Sequence, residues 1–196
     1  MKLIQRHGYI EFLRRNRERS IIKVVSGIRR CGKSTLFRLF KDELLAEGVK
    51  PEQIISINFE ELEYEPLREY HRLYQYILNQ MQPNQMNYIF LDEIQHVDQF
   101  HRVVDSLFVK ENTDIYITGS NAYFMSSDIA TLLTGRYVEI QMLPLSFAEF
   151  YYSKYEEQQY SLIPAYEEYL RESSFPYTQQ LGGEDFDIQE YLRGLY

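Results

Sequence analysis

The chain has 196 residues, of which 44% are hydrophobic and 26% charged, with a net charge of −8, a composition ordinary for one globular domain with room for a small appendage. No apolar run approaches the roughly 20 residues that cross a bilayer, and the opening residues lack the apolar stretch and cleavage site of a secretory leader, so the expectation is a cytoplasmic protein without a membrane segment. Its single cysteine, Cys31, excludes an internal disulfide and a cysteine-built metal cage.

Charge is unevenly spread: residues 1–41 carry 12 Lys and Arg against 2 acidic residues, and the remainder carries 9 basic against 27 acidic. A reader of duplex DNA presents a broad basic face, which makes this chain alone a poor candidate for one. Nucleotide phosphates suit its basic end.

In chain order, Leu3, Tyr9, Ile10 and Leu13 recur at near-helical spacing, which predicts a short amphipathic helix ending in the charged run 14–19. That run reads as a solvated helix end, or as a dock for an acidic or phosphate-rich partner. Residues 21–25 read as a buried strand, and 33–47 as a helix stopped by Gly48 and Pro51. Further strands are expected at 54–59, 88–91, 115–118 and 137–142, with helical patterns at 67–81 and around 100–109. Strands alternating with helices predict an α/β fold with a parallel sheet covered on both faces. A core over residues 1–145 then gives way to a helical, acidic appendage or linker over 146–196. Its tyrosines, among them Tyr151, Tyr155, Tyr160 and Tyr169, read as packing residues or as a recognition surface.

The strongest motif is Gly27-Ile28-Arg29-Arg30-Cys31-Gly32-Lys33-Ser34, a G-x-x-x-x-G-K-[ST] loop between an expected strand and an expected helix, the context a Walker A loop requires. Its glycines allow successive backbone N–H groups to point inward, and the following helix offers unpaired N–H groups and partial positive charge. A nucleotide-binding set of Gly27, Ile28, Arg29, Arg30, Cys31, Gly32, Lys33, Ser34 and Thr35 follows. Within it Lys33 reaches the β- and γ-phosphates and the Ser34 hydroxyl ligates Mg²⁺. Arg29 and Arg30 add positive potential or simply face solvent, and Cys31 serves as a small residue.

The second motif, Tyr88-Ile89-Phe90-Leu91-Asp92-Glu93, is an apolar strand ending in two carboxylates. Ligands of parallel α/β sheets collect at the C-terminal strand ends, so Asp92 is expected to hold Mg²⁺ through water and Glu93 to polarise the water that attacks the γ-phosphate. The E-x-x-H spelling of Glu93 to His96 occurs once and follows a strand, which argues against a carboxylate-bridged metal pair. A third strand ends in Gly119-Ser120-Asn121, where Ser120 or Asn121 senses the γ-phosphate or forms a plain turn or cap. Arg136, just before the fifth strand, is a candidate arginine finger or a surface ion-pair partner.

Taken in order, GIRRCGKST, FLDEIQ, ITGSNA, LTGRY and LPLSFAEF resemble a bacterial and archaeal group of AAA-type ATPases over roughly residues 5 to 180. The resemblance implies a five-stranded P-loop core, ATP hydrolysis with Mg²⁺, Ser120 or Asn121 at the sensor position, Arg136 as the finger, and an exit from the core at 143–150. It also implies self-association and a following C-terminal domain of unassigned, nuclease-like or DNA-related role, through which an unidentified protein or nucleic acid would be engaged. The chain stops at Tyr196 inside an expected helix, and it carries Ser174 where that group more often has glycine ahead of Phe175-Pro176. The expected activity is ATP hydrolysis driving a conformational change. Alternatives are a nucleotide-gated interaction module with little hydrolysis and a P-loop small-molecule kinase, whose arginine-rich lid the acidic C-terminal region does not offer.

Overall fold

Strand β1 (Ile22–Gly27) is buried along its whole length, as expected of a run between two parallel neighbours with helices on both faces. The computed structural model describes residues 4, 6–120, 133, 135–155, 160–181 and 185–194. Around β1 they form α1 (His7–Asn16), α2 (Lys33–Ala46), β2 (Ile54–Asn58), α3 (Tyr70–Gln80), β3 (Asn87–Asp92), α4 (Phe100–Phe108), β4 (Thr113–Ser120), β5 (Tyr137–Met142), α5 (Phe147–Tyr155), α6 (Leu162–Glu172) and α7 (Asp185–Arg193). The sheet order is β2-β3-β4-β1-β5 and every pairing is parallel, so the α/β expectation holds.

The described chain divides into two compact units. One comprises Gly8–Gly27 and Lys33–Met142, and the other collects Met1–His7, Ile28–Gly32 and Leu143–Tyr196. In the first unit, side chains alternate across the strands. Ile89 and Leu91 of β3 and Ile115 and Ile117 of β4 join Leu73 and Ile77 of α3 and Phe100, Val103, Val104 and Leu107 of α4 in one apolar core. The α4 residues recur at i, i+3, i+4 and i+7, one face of a helix. On the other face Phe37 and Phe40 of α2 meet Phe90 of β3 and Tyr116 of β4, whose rings stack at 4.7 Å.

Several boundaries differ from the expected ones, most of them by a residue or two. Helix α3 begins at Tyr70 because Leu62–Arg68 forms a 3₁₀ stretch around Pro66 and Glu69 caps the helix, accepting from the amides of His71 and Arg72 at 2.9 and 3.1 Å. Strand β1 runs on to Gly27, which pairs with Ser120 on one side and Met142 on the other. Helix α1 keeps the expected Ile10 and Leu13 as buried residues, while Leu3 lies outside the described residues. The basic run is largely exposed, with two pairs to neighbouring segments: Arg14 bonds Glu43 of α2 at 2.7 Å and Arg17 pairs with Glu47.

At the N-terminal end of the sheet Lys23 of β1 and Asp114 of β4 form an ion pair with both side chains fully buried. Asp114 also accepts from the Glu18 amide at 2.9 Å and the Tyr116 hydroxyl at 2.6 Å, and Lys23 donates to the Arg19 carbonyl at 2.9 Å. Such partners are what a charge pair removed from water requires. In the second unit the tyrosines pack: Tyr155 stacks on Tyr160 at 4.4 Å, Tyr169 meets Phe150 at 5.3 Å, and the Tyr169 hydroxyl donates to the Leu145 carbonyl at 2.8 Å.

Candidate functional site

Because β1, β3 and β4 are parallel neighbours, their C-terminal ends gather side chains distant in sequence. Strand β1 delivers Gly27, after which the loop leads into α2 at Lys33. Arg30 and Gly32 hold positive φ angles of 64° and 105°, a backbone that glycine adopts freely and that turns successive amides to one side. Ile28, Arg29 and Arg30 are exposed and Cys31 is fully buried. The Arg30 guanidinium lies over the Tyr191 ring at 5.3 Å.

Lys33 is buried at the start of α2. Its Nζ donates to the Gly27 carbonyl at 3.2 Å and lies 3.1 Å from Glu93 Oε1. Strand β3 carries Asp92 at its end, on the face that α2 covers. The Ser34 hydroxyl and the Thr118 hydroxyl both hydrogen-bond its carboxylate. Burial pushes the Asp92 carboxyl above its ordinary range and the nearby Glu93 charge adds to this, against the downward pull of Ser34, Thr118 and Lys33. Glu93 follows in a left-handed backbone conformation, φ 54°, which breaks the strand and turns the side chain toward Lys33. Its amide donates to Thr118 Oγ1 at 2.9 Å, and its second carboxylate oxygen accepts from Gln95.

Lys33, Ser34, Asp92 and Glu93 therefore come together, as the motif spacing predicts. Ser120 ends β4 half-buried and opposite Gly27 in the ladder, at the same end of the sheet. Asn121 lies outside the described residues, and Thr35 is half-buried in the first turn of α2. Arg136 stands apart: its carbonyl accepts from the Ile22 amide at 2.8 Å, which puts it level with the start of β1, about 17 Å along the strand from Gly27. Its side chain pairs with Asp105 of α4 at 2.8 Å and is 47% exposed. Glu93 precedes a 3₁₀ turn over Ile94–His96, and the described residues contain no His, Cys, Asp and Glu cluster able to hold a metal. No described helix is long and apolar enough to cross a membrane.

Two residues that hold this part of the chain in place were not singled out from the sequence. Thr118 anchors both Asp92 and the Glu93 amide; its only signal is a hydroxyl near the end of a strand. Arg6 touches the Walker A loop through the Cys31 carbonyl at 3.2 Å, and nothing local to it in sequence announces this.

A G-x-x-x-x-G-K-[ST] loop after β1 and an acid pair at the end of β3, in an all-parallel five-stranded sheet, define a P-loop fold of the AAA type. Residues 19–151 match the AAA domain family, and the chain belongs to it. It is 42% identical over 176 residues to an uncharacterized protein of Haemophilus influenzae, covering 89% of this chain and 44% of that one. An uncharacterized protein of Methanocaldococcus jannaschii is 32% identical over 191 residues, with 89% and 41% covered. The chain thus spans less than half the length of these relatives. Among solved structures it is similar to the Walker-type ATPase PABY2304 of Pyrococcus abyssi, with a TM-score of 0.61, 17% identity, and 96% of this chain and 71% of that one covered. AMPPCP-bound DnaA from Aquifex aeolicus superposes with a TM-score of 0.55 at 9% identity, covering 94% and 57%.

Proposed function

We propose that this chain binds ATP with Mg²⁺ and hydrolyses it to drive a conformational change. The observation that carries the reading is the meeting of Lys33 with Glu93 and of Ser34 with Asp92 at the carboxyl ends of β1 and β3. The amides of the Walker A loop and the N-terminus of α2 receive the phosphates. Lys33 leaves Glu93 for the β- and γ-phosphates, and Glu93 then takes the proton of the attacking water, a contribution of about 10² to 10⁴ in rate. Ser34 and Asp92 are adjacent hard oxygen donors and fit Mg²⁺, which would neutralise charge on the transferred phosphate. The family match and the nucleotide-bound neighbour, DnaA with AMPPCP, support the choice of a nucleoside triphosphate.

Arg136, at the opposite end of the sheet from its own loop, fits a finger acting on the nucleotide of a neighbouring copy, so hydrolysis would depend on self-association. Ser120, with Asn121 beyond it, would sense the γ-phosphate. In a longer chain of the kind the relatives represent, the movement would pass to the segment that follows and to the protein or nucleic acid that segment holds.

ATP affinity and phosphate release, measured together over a range of protein concentration, test the reading. Release that rises with concentration supports an ATPase completed by a second copy. Tight binding with no release at any concentration would favour a nucleotide-gated interaction module, to which the occupation of the second Glu93 oxygen by Gln95 lends support. No binding at all would sink both.

A further inference from the structure

Arg6 precedes α1 and is 5% exposed. A guanidinium carries five N–H donors, and among the partners of this one are five acceptor atoms. Nε and Nη2 reach the two carboxylate oxygens of Glu149 at 2.8 and 3.0 Å; Nη1 reaches the carbonyls of Cys31 and Leu143 at 3.2 and 2.6 Å; Nη2 also reaches the Pro144 carbonyl at 3.1 Å. Glu149 is itself fixed, accepting from the amide and hydroxyl of Ser146 at 2.8 and 3.0 Å. The planar fork is thereby locked in one orientation.

One of those bonds acts on the Walker A loop. The Cys31 carbonyl belongs to the peptide that ends in the Gly32 amide, and no described peptide bond is cis. In a trans peptide C=O and N–H point in opposite directions, so pulling the Cys31 oxygen to Arg6 turns the Gly32 N–H to the other side. Gly32, at φ 105°, is free to flip its peptide unless something holds it. An anion cradle works only when its amides point the same way.

We propose that Arg6 is a positioning residue of the nucleotide site: it locks the Cys31–Gly32 peptide so that the Gly32 amide is presented to a bound phosphate, and ties that lock to residues 143–149. This rests on the nucleotide reading given above. The tie has a consequence for coupling, because any displacement of 143–149 moves Glu149 and two of the carbonyls that hold Arg6, and so loosens the peptide that meets the phosphate.

The test titrates Mg-ADP into the wild type, Arg6→Gln, Arg6→Lys and Glu149→Gln, by calorimetry and by the ¹⁵N-resolved signal of the Gly32 amide. The wild type should show a downfield shift of that amide on binding, a signature that a merely structural role would leave intact in every folded variant. Arg6→Gln should bind about tenfold more weakly with the shift reduced, the loss expected for one charge-assisted hydrogen bond. Arg6→Lys, which keeps the charge without the fork, should restore only part of either. Glu149→Gln, which leaves the three carbonyl contacts, should lose about threefold and carries the test if Arg6→Gln does not fold. A folded Arg6→Gln or, failing that, Glu149→Gln with a wild-type Gly32 shift and affinity within about twofold of wild type would overturn the proposal. A wild type that binds no ADP would overturn the nucleotide reading, and this inference with it.

Discussion

Lys33 Nζ stands 3.1 Å from Glu93 Oε1, with the two side chains 3% and 8% exposed, so the two groups that would act on opposite sides of a phosphoanhydride neutralise each other. The other oxygen of Glu93 is occupied by Gln95. On the proposed reading, a triphosphate would draw Lys33 away and leave the Glu93 carboxylate without that partner only when there is something to hydrolyse. Glu93→Gln should therefore keep ATP binding while phosphate release falls by about 10² to 10⁴, and Lys33→Ala should lose binding itself. Turnover of Glu93→Gln at the wild-type rate would remove Glu93 from the role of base.

Thr118 serves two clients with one hydroxyl, donating to Asp92 and accepting the Glu93 amide at 2.9 Å. Thr118→Val keeps the shape and strands a buried N–H, which costs about 1 to 3 kcal/mol in urea unfolding. It also removes one of the bonds that hold the Asp92 carboxyl down against burial, so ATP binding should need more Mg²⁺ than in the wild type. Thr118→Ser should recover both. A Mg²⁺ titration unchanged in the valine variant would separate Thr118 from the function of Asp92.

The α/β fold and the four central side chains were legible because each signal is local. Gly27 to Ser34 is a contiguous spelling, and the acids at 92 and 93 directly follow the run that buries them. Thr118 was not legible, since its role depends on β4 lying beside β3, a pairing set by sheet order. Arg6 depends on segments 25 and 137 residues away, and a surface-type residue near the start of a chain gives no sign of being buried. The run at 14–19 stays largely exposed, one of its two readings from the sequence, but its pairs with Glu43 of α2 and with Glu47 just beyond it were not legible, because α2 could not be placed against it from periodicity alone.

Substitution of Arg136 tests whether binding and turnover can be separated. Its pair with Asp105 is 47% and 30% exposed, so Arg136→Ala should change stability by less than about 1 kcal/mol. ATP affinity should not change, since the residue lies at the far end of the sheet from Gly27. If it is a finger in trans, turnover should fall by about 10³ to 10⁵. Mixing Arg136→Ala with Lys33→Ala should return part of the lost turnover, because each variant supplies what the other lacks. No recovery on mixing, with both variants folded and associated, would rule out action across copies.

Asp114 and Lys23 test the opposite end of the sheet. Burial lowers the Lys23 ammonium from its ordinary range, and Asp114 is the chief force raising it again. Asp114→Asn leaves a fully buried cation without its counter-charge, and breaking such a pair costs about 3 to 5 kcal/mol. Lys23 is about 13 Å along β1 from Gly27, so ATP affinity of the folded fraction should stay at the wild-type value. Replacing both partners with apolar residues of similar volume should recover most of the stability. Loss of ATP affinity in the folded double variant would instead link this end of the sheet to the nucleotide site.

Glu149 gives the Arg6 clamp a dependence on pH whose sign is fixed. Burial pushes its carboxyl up, but the Arg6 guanidinium and the Ser146 amide and hydroxyl pull further the other way, holding it below the usual carboxylate value. A group whose folded value lies below its unfolded one stabilises fully above the unfolded value and loses that contribution as pH falls through the folded value. The stability difference between wild type and Glu149→Gln should thus be about 1 to 3 kcal/mol near neutrality. It should shrink steadily as pH drops below the ordinary value of 4.5. Chemical denaturation of both proteins from neutral to acid pH measures it, and because the two share every other carboxylate, the difference isolates this one. A gap that stays constant through the acid range would mean that the contact between Glu149 and Arg6 does not depend on its charge.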